Sequence, residues 1–330
     1  MNLKDELISR LRCPKTGSAL HLAEGAERNA RGDIDTGVLV NADGSAEYPV
    51  KGSIPRFVPA SNYADNFGMQ WNHFARTQLD SHSGHPISTE RFWHATAWDP
   101  AGLKGKWVLD VGCGSGRFAE VALYAGAHVV ALDYSSAVDA CQANLQQHNS
   151  LHVVQGDIYA LPFEPGSFDF VYSLGVLQHT PDVATSFASL PPMVTPGGRL
   201  CVDYYEKSWR SIFLSKYWLR PITKRLPKTT LFSALQKMVP SLLAISNLIG
   251  AIPLVGKQLR RMFPVANYSG LLPLSSDQVR EWALLDTFDW LSPEYDSPQS
   301  EASARAMIEQ AGMRNIEVLK AGHLVARGIR

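Results

Sequence analysis

The stretch VLDVGCGSGRF, residues 108–118, decides how the rest of the chain is read. An apolar run carries an acid, Asp110, and then three glycines, Gly112, Gly114 and Gly116, stand at alternate positions. This is the pattern of a buried strand followed by a tight loop that turns into a helix. Glycine tolerates positive φ and lets a ligand approach the backbone closely. The spacing is GxGxG rather than GxGxxG, and no Lys-Ser/Thr pair follows, so a phosphate cradle is not the best fit. A carboxylate at Asp110 would repel a pyrophosphate and suits a cationic ligand instead.

Outward from this loop, strand and helix alternate from Lys106 onward. Val108–Val111 reads as a strand, and 117–127 as a helix with Phe118, Val121, Ala122 and Ala125 on one face. Residues 128–133 read as a strand, 136–147 as a helix, and 151–157, 168–176 and 197–205 as strands. The alternation predicts right-handed βαβ units in a doubly wound, mostly parallel sheet covered on both faces. It breaks at 207–264 and resumes with a helix at 300–313, capped by Ser300 and stopped by Gly312. The short runs 315–319 and 323–328 then read as a closing hairpin.

Two more acids stand at strand ends. Asp133 is placed to accept both hydroxyls of an unphosphorylated ribose. Asp157 is placed to accept an exocyclic adenine amine, with Ile158 packing on the ring. A cation near Asp110, a ribose on Asp133 and an adenine at Asp157 together describe S-adenosylmethionine.

The motifs VLDVGCGSGRF (108–118), ALDYS (131–135), GDIYALPF (156–163), FDFVYSLGVLQHTPD (168–182) and PGGRL (196–200) follow one another in the order and spacing of a known family. They resemble the class I S-adenosylmethionine-dependent methyltransferases, of the type 11/25 kind, strongly over 106–206 and weakly over the closing helix and hairpin. The resemblance implies a Rossmann-like sheet of seven strands, the last antiparallel. Donor contacts are expected from Asp110, Gly112, Cys113, Gly114, Gly116, Asp133, Tyr134, Asp157, Ile158, Ser173 and Trp71. Cys113 is expected to fill space rather than react.

Transfer of a sulfonium methyl is a direct displacement that needs no covalent nucleophile, and alignment alone can supply ~7–11 kcal/mol of barrier lowering. A hydroxyl acceptor must still lose its proton. His179 is the candidate general base, because it follows the fourth strand and titrates near neutrality; a structural histidine orienting the loop is the alternative. Asp203, Tyr204 and Tyr205 are second candidates. Tyr295 and Asp296, in SPEYDSPQS (292–300), are assigned either to the pocket rim or to the turn before a helix.

Residues 1–60 read as a small β-rich unit. RCPKTGSAL (12–20) and YPVKGSIPRFV (48–58) resemble the zinc-ribbon-like activator subunit of tRNA methyltransferases, fused in cis. Cys13 stands alone there, so no zinc is expected. In the bridge 61–105, Tyr63, Phe67, Trp71 and Phe74 fall at helical spacing and predict one buried face covering the donor site.

The 330 residues are 45% hydrophobic and 19% charged, as in a globular protein with a sizeable core. The four cysteines form no CxxC, which supports neither a disulfide framework nor a zinc knuckle. The first residues lack a basic-then-apolar signal, so a cytoplasmic location is expected. Formal net charge is zero, against a wholesale nucleic-acid binder, but the sum hides an asymmetry. Residues 207–264 hold 11 Lys and Arg and no acid, leaving 20 positive against 31 negative residues elsewhere.

The insert 207–270 therefore has three readings: a lid over an apolar or anionic acceptor, a peripheral contact at the inner membrane surface, and a site for single-stranded RNA. The last part, 271–330, is expected to complete the sheet. The expected function is S-adenosylmethionine-dependent O-methylation of a small-molecule, lipid-linked or sugar-linked acceptor. The rivals are an RNA (tRNA) methyltransferase and a non-catalytic S-adenosylmethionine-binding or scaffold protein.

Overall fold

The computed structural model describes residues 5–59, 64–209 and 214–330. Tyr63 of the bridge pattern lies outside the described residues. A short helix α1 (Asp5–Ile8) leads into strands β1 (Leu20–Leu22), β2 (Glu27–Arg28), β3 (Ile34–Asn41), β4 (Glu47–Lys51) and β5 (Ile54–Pro55). They form an antiparallel sheet. Helices α2 (Asp65–His73), α3 (Asp80–Ser83) and α4 (Ile87–Thr96) follow.

The main sheet comprises β6 (Trp107–Val111), β7 (His128–Asp133), β8 (Leu151–Gln155), β9 (Phe168–Ser173), β10 (Val194–Tyr204), β11 (Arg314–Ala321) and β12 (His323–Ile329). Helices α5 (Arg117–Tyr124), α6 (Ala137–Leu145), α7 (Val183–Ala188) and α12 (Glu301–Gln310) connect them, with α8 (Ser215–Thr223), α9 (Lys228–Gly250) and α10 (Gly256–Met262) in the insert and α11 (Ser276–Leu291) after it. The order is β11-β12-β10-β9-β6-β7-β8, and only β12 runs antiparallel to its neighbours. The seven-stranded, mostly parallel Rossmann-like fold read from the sequence is the one found, with element ends shifted by a few residues.

Strand alternation sorts β6 into two cores. Val108 faces Phe92, Ala119 and Val138 of α4, α5 and α6, whereas Leu109 and Val111 face Phe187, Ile308 and the N-terminal unit. Leu11, Ile34, Leu39 and Val50 of that unit belong to the same apolar core as Leu109 and Val130. β5 also lies along the free edge of β8, where Phe57 N–H donates to the Gln155 carbonyl (2.8 Å). An open sheet edge is thereby covered. Cys13 is buried beside the Tyr48 hydroxyl (3.2 Å). The zinc-ribbon likeness of this unit finds no further support.

The chain runs outward through β6, β7 and β8, then returns to lay β9 on the other side of β6. The carboxyl ends of β6 and β9 thus flank a topological switch point, where open α/β sheets bind ligands.

The insert does not stand by itself. Leu231, Leu235, Val239 and Leu243, spaced four apart along α9, pack with Ala283, Phe288 and Leu291 of α11 and with Met69 of α2. Burying each such leucine stabilises by roughly 1.5–3 kcal/mol, enough to hold α9 against the domain.

Candidate active site

A cavity of about 560 Å³ opens at the switch point. This is within the usual range for a small-molecule site. Its floor is the loop after β6. Gly112 and Gly114 have φ of 86° and 53°, a region that favours glycine. A Cβ on Gly112 would lie 2.4 Å from Val176, and one on Gly114 would lie 3.2 Å from the Trp71 indole nitrogen. The backbone is therefore bare where Trp71, Phe67 and Val176 close over it.

Asp133 fixes the loop: one carboxylate oxygen accepts from Gly114 N–H (2.9 Å), the other from the Ser135 N–H (2.8 Å) and hydroxyl (2.7 Å). Burial raises its pKa while these donors oppose the rise. Of the expected donor contacts, Gly112, Cys113, Gly114, Asp133, Tyr134, Ile158 and Trp71 line the cavity.

Four do not. Asp110 falls on the α4–α5 face because it alternates with Leu109 and Val111, and its buried carboxyl lies beside Tyr172. Burial pushes that carboxyl up to about 8, so it is not the fixed negative charge expected of it. Gly116 serves helix packing instead, since a Cβ there would lie 2.6 Å from Leu145. The Ser173 hydroxyl is turned inward and donates to the Val111 carbonyl (2.8 Å). Asp157 sits between the lining residues Gly156 and Ile158, but its carboxylate accepts from Tyr159 N–H (2.9 Å) and caps a short 3₁₀ turn.

The other half of the cavity surrounds His179. Its Nδ1 lies 3.0 Å from the Tyr295 carbonyl oxygen. A carbonyl only accepts, so Nδ1 carries the proton and Nε2 presents a lone pair. Nε2 is buried and has no hydrogen-bond partner. Burial lowers the His179 pKa, while the nearby Asp289 carboxylate acts in the opposite direction. The lowering favours the neutral ring, which is wedged between Phe67 and Tyr205 with centroids 5.4 Å from each.

Among the second candidates, Tyr205 lines the cavity beneath the Lys216 ammonium, which lies 4.5 Å from its ring centroid. Tyr204 is buried in the apolar core with Val202 and Leu324, because it falls on the opposite face of β10. Asp203 is committed to an ion pair with Arg91 (2.9 Å) and to the Gly175 N–H. Tyr295 and Asp296 lie off the cavity wall. The Asp296 carboxylate pairs with Arg220 and with Lys216 (3.5 Å), tying α8 to the turn that holds His179.

The sequence reading missed one whole wall. Trp282, Leu285, Asp286, Asp289 and Trp290 of α11 all line the cavity. They stand at i, i+3, i+4, i+7 and i+8, a single helical face, and the available signal was two aspartates inside an otherwise apolar stripe. Burial pushes the Asp286 carboxyl up to about 6, although the Tyr268 hydroxyl donates to it. Arg91 and Arg117, also lining, were missed as well.

Glu6, His128 and His152 have ligand atoms within 4.8 Å of one another, close enough to hold a cation. They sit at the amino ends of β7 and β8, the opposite end of the sheet from the cavity, against a Trp107 ring already covered by the Arg10 guanidinium at 3.8 Å.

Residues 109–202, from the strand before the glycine loop to β10, match the family model described as a methyltransferase domain. This is a class I methyltransferase domain. The glycine backbone with Asp133 alongside fits S-adenosylmethionine, the donor that the resemblance of the motifs implies.

Relatives include the ubiquinone biosynthesis O-methyltransferases of Aromatoleum aromaticum (33% identical over 134 residues, 39% of this chain and 57% of that one) and Azotobacter vinelandii (34% over 131 residues, 39% and 56%). The chain thus spans a little over half the length of these curated relatives. Among solved structures, a putative S-adenosyl-L-methionine-dependent methyltransferase from Methanococcus maripaludis is 15% identical with a TM-score of 0.42, over 82% of this chain and 95% of that one. The magnesium protoporphyrin IX methyltransferase of Synechocystis is 17% identical with a TM-score of 0.41, over 81% and 96%.

Proposed function

We propose that the protein is an O-methyltransferase acting on the hydroxyl of a partly apolar small molecule, lipid-linked and sugar-linked acceptors included. The observation that carries this reading is His179. Its Nδ1 proton is held by the Tyr295 carbonyl, and its Nε2 is buried without a hydrogen-bond partner in a residue that lines the cavity. A cavity-lining imidazole with one uncommitted lone pair is suited to take a hydroxyl proton. Transfer to a neutral amine needs no such base before the methyl moves.

When bound, the donor supplies an electrophilic methyl on a sulfonium. The residues of this chain do the rest. Phe67, Trp71 and Val176 close the glycine floor from above, and the Trp282 and Trp290 rings give the acceptor an apolar wall. Nε2 receives the proton as the acceptor oxygen becomes nucleophilic. Asp289, whose charge already favours the protonated ring, stabilises the imidazolium that forms. The O-methyltransferase names of the relatives agree with oxygen as the receiving atom.

Two measurements test the reading. Calorimetry with S-adenosylhomocysteine should show one site per chain, and an absence of binding would overturn donor use. Incubation of lysate with methyl-labelled donor, followed by separation into RNA, protein, lipid and small-molecule fractions, should place the label in the last two. Label confined to RNA would establish the rival acceptor.

A further inference from the structure

We propose that the α9–α10 hairpin docks the protein on an anionic lipid bilayer, with the turn between the two helices inserted among the lipids. This surface lies outside the donor and base machinery.

Thirteen of the fifteen exposed large hydrophobic side chains among the described residues fall within 209–262. Along α9 and the turn beyond it, Met238, Ile245, Leu248 and Ile252 recur at i, i+7, i+10 and i+14. They make a second apolar stripe beside the buried stripe that packs on α11. At the start of α10 and along it, Val255, Leu259 and Met262 recur at i, i+4 and i+7 and are also exposed. The connecting residues Ala251 to Val255 are exposed without exception, and all are apolar.

At the tip, Leu254 is 100% exposed and adopts φ of 69°. A leucine in the left-handed region is strained, and a leucine wholly in water gains nothing by burial. Glycine would suit that backbone better, so the side chain itself is what the position retains. Gly256 closes the turn, where a Cβ would lie 2.5 Å from the Ile249 carbonyl oxygen.

Charge selects the occupant. The 58 residues 207–264 carry 11 cations and no anion. Lys257 is exposed on α10 away from its apolar stripe, and Lys237 is exposed on α9. Long basic side chains reach headgroup phosphates while an apolar face enters the acyl boundary. The exposed residues of the hairpin are aliphatic, which does not suit base stacking, so RNA is not the favoured partner. One helix among the described residues, Lys228–Gly250, is long and apolar enough to cross a membrane. Its buried stripe is already spent on α11, and crossing would strip that contact away, so the helix lies on the surface. The insert also contributes Ser215, Lys216 and Arg261 to the cavity wall, which sets the acceptor half beside the docked face.

The test is flotation of the full chain with vesicles of phosphatidylcholine and phosphatidylglycerol, against vesicles of phosphatidylcholine alone. The wild type should float with the anionic vesicles, less with neutral ones, and less as salt rises. Leu248→Ser with Leu254→Gly should weaken anionic-vesicle binding by about tenfold or more. Leu254→Gly alone should leave thermal stability equal or higher, because it relieves the backbone. A residue with a structural role would show the opposite. Calorimetry with S-adenosylhomocysteine should match between variant and wild type, which separates failure of docking from failure of the donor site.

Flotation that is equal for variant and wild type, or absent for wild type, overturns the proposal. So does a wild-type dimer that the double variant dissociates, since the face would then belong to a second copy. Binding of an RNA oligonucleotide in place of vesicles has the same consequence.

Discussion

The two halves of the cavity are made of different material. The donor half is backbone: two glycines with no room for a methyl group, held by one aspartate that spends its oxygens on main-chain and serine donors. The acceptor half is a lattice of side chains, with Arg91 on Asp203, Arg220 and Lys216 on Asp296, Tyr268 on Asp286, and His179 on a carbonyl. A backbone site has one shape and fails when an atom is added. A side-chain site changes its preferences when one member changes and keeps its shape. The first suits a donor that never varies, and the second suits an acceptor that distinguishes one enzyme from another.

The largest effect that would separate the halves comes from His179→Ala. Turnover should fall by about 10²- to 10⁴-fold, the usual worth of a general base, with S-adenosylhomocysteine affinity unchanged by calorimetry. Equal loss of both would join the two halves functionally and break the comparison. The same histidine predicts the pH profile. Its pKa is lowered from 6.5 by burial, so kcat/KM should be level at pH 7 and decline only at an acid limb that turns below 6.5. An inflection above 7 would remove His179 as the base.

Next in size is Gly112→Ala, which forces an L residue to φ of 86° and presses on Val176. A stability loss of ~1–3 kcal/mol is expected, together with weakened binding of S-adenosylhomocysteine. Its counterpart, Asp289→Asn, should leave that binding intact and change acceptor KM by several-fold in steady-state kinetics.

This contrast also explains how much was legible in the sequence. The glycine loop, Asp133 and the strand rhythm are local patterns, because a backbone site must be written in consecutive residues. Asp110, Gly116 and Ser173 do not line the cavity, since motif membership does not say which face of a strand or helix a residue takes. Asp110 alternates away from the cavity, and Gly116 yields to Leu145. The acceptor wall was illegible for a different reason. Arg91, Tyr205, Lys216 and Asp289 are brought together only by tertiary packing of α4, β10, α8 and α11. His179 was found because it lies in the short segment after a strand end, but its proton partner, a carbonyl 116 positions away, has no sequence signature.

A pH-dependent stability effect sharpens the donor side. Asp110 has a folded-state pKa of about 8 against an ordinary 3.8, so its contribution to stability is fully present below 3.8 and is lost as pH rises toward 8. Asp110→Asn removes that dependence. The difference in Tm between variant and wild type should grow in favour of the variant from pH 5 to pH 9. A constant difference would mean that Asp110 keeps an ordinary carboxylate pKa in the folded state.

The turn at 293–296 deserves a mechanical description. One residue, Tyr295, grips the proton of the base through its carbonyl, and the next, Asp296, grips two cations of the cover through its carboxylate. The two grips share a single peptide unit, a rivet through both plates. The proton partner of His179 and the ion pairs of α8 are therefore set by neighbouring residues of one turn.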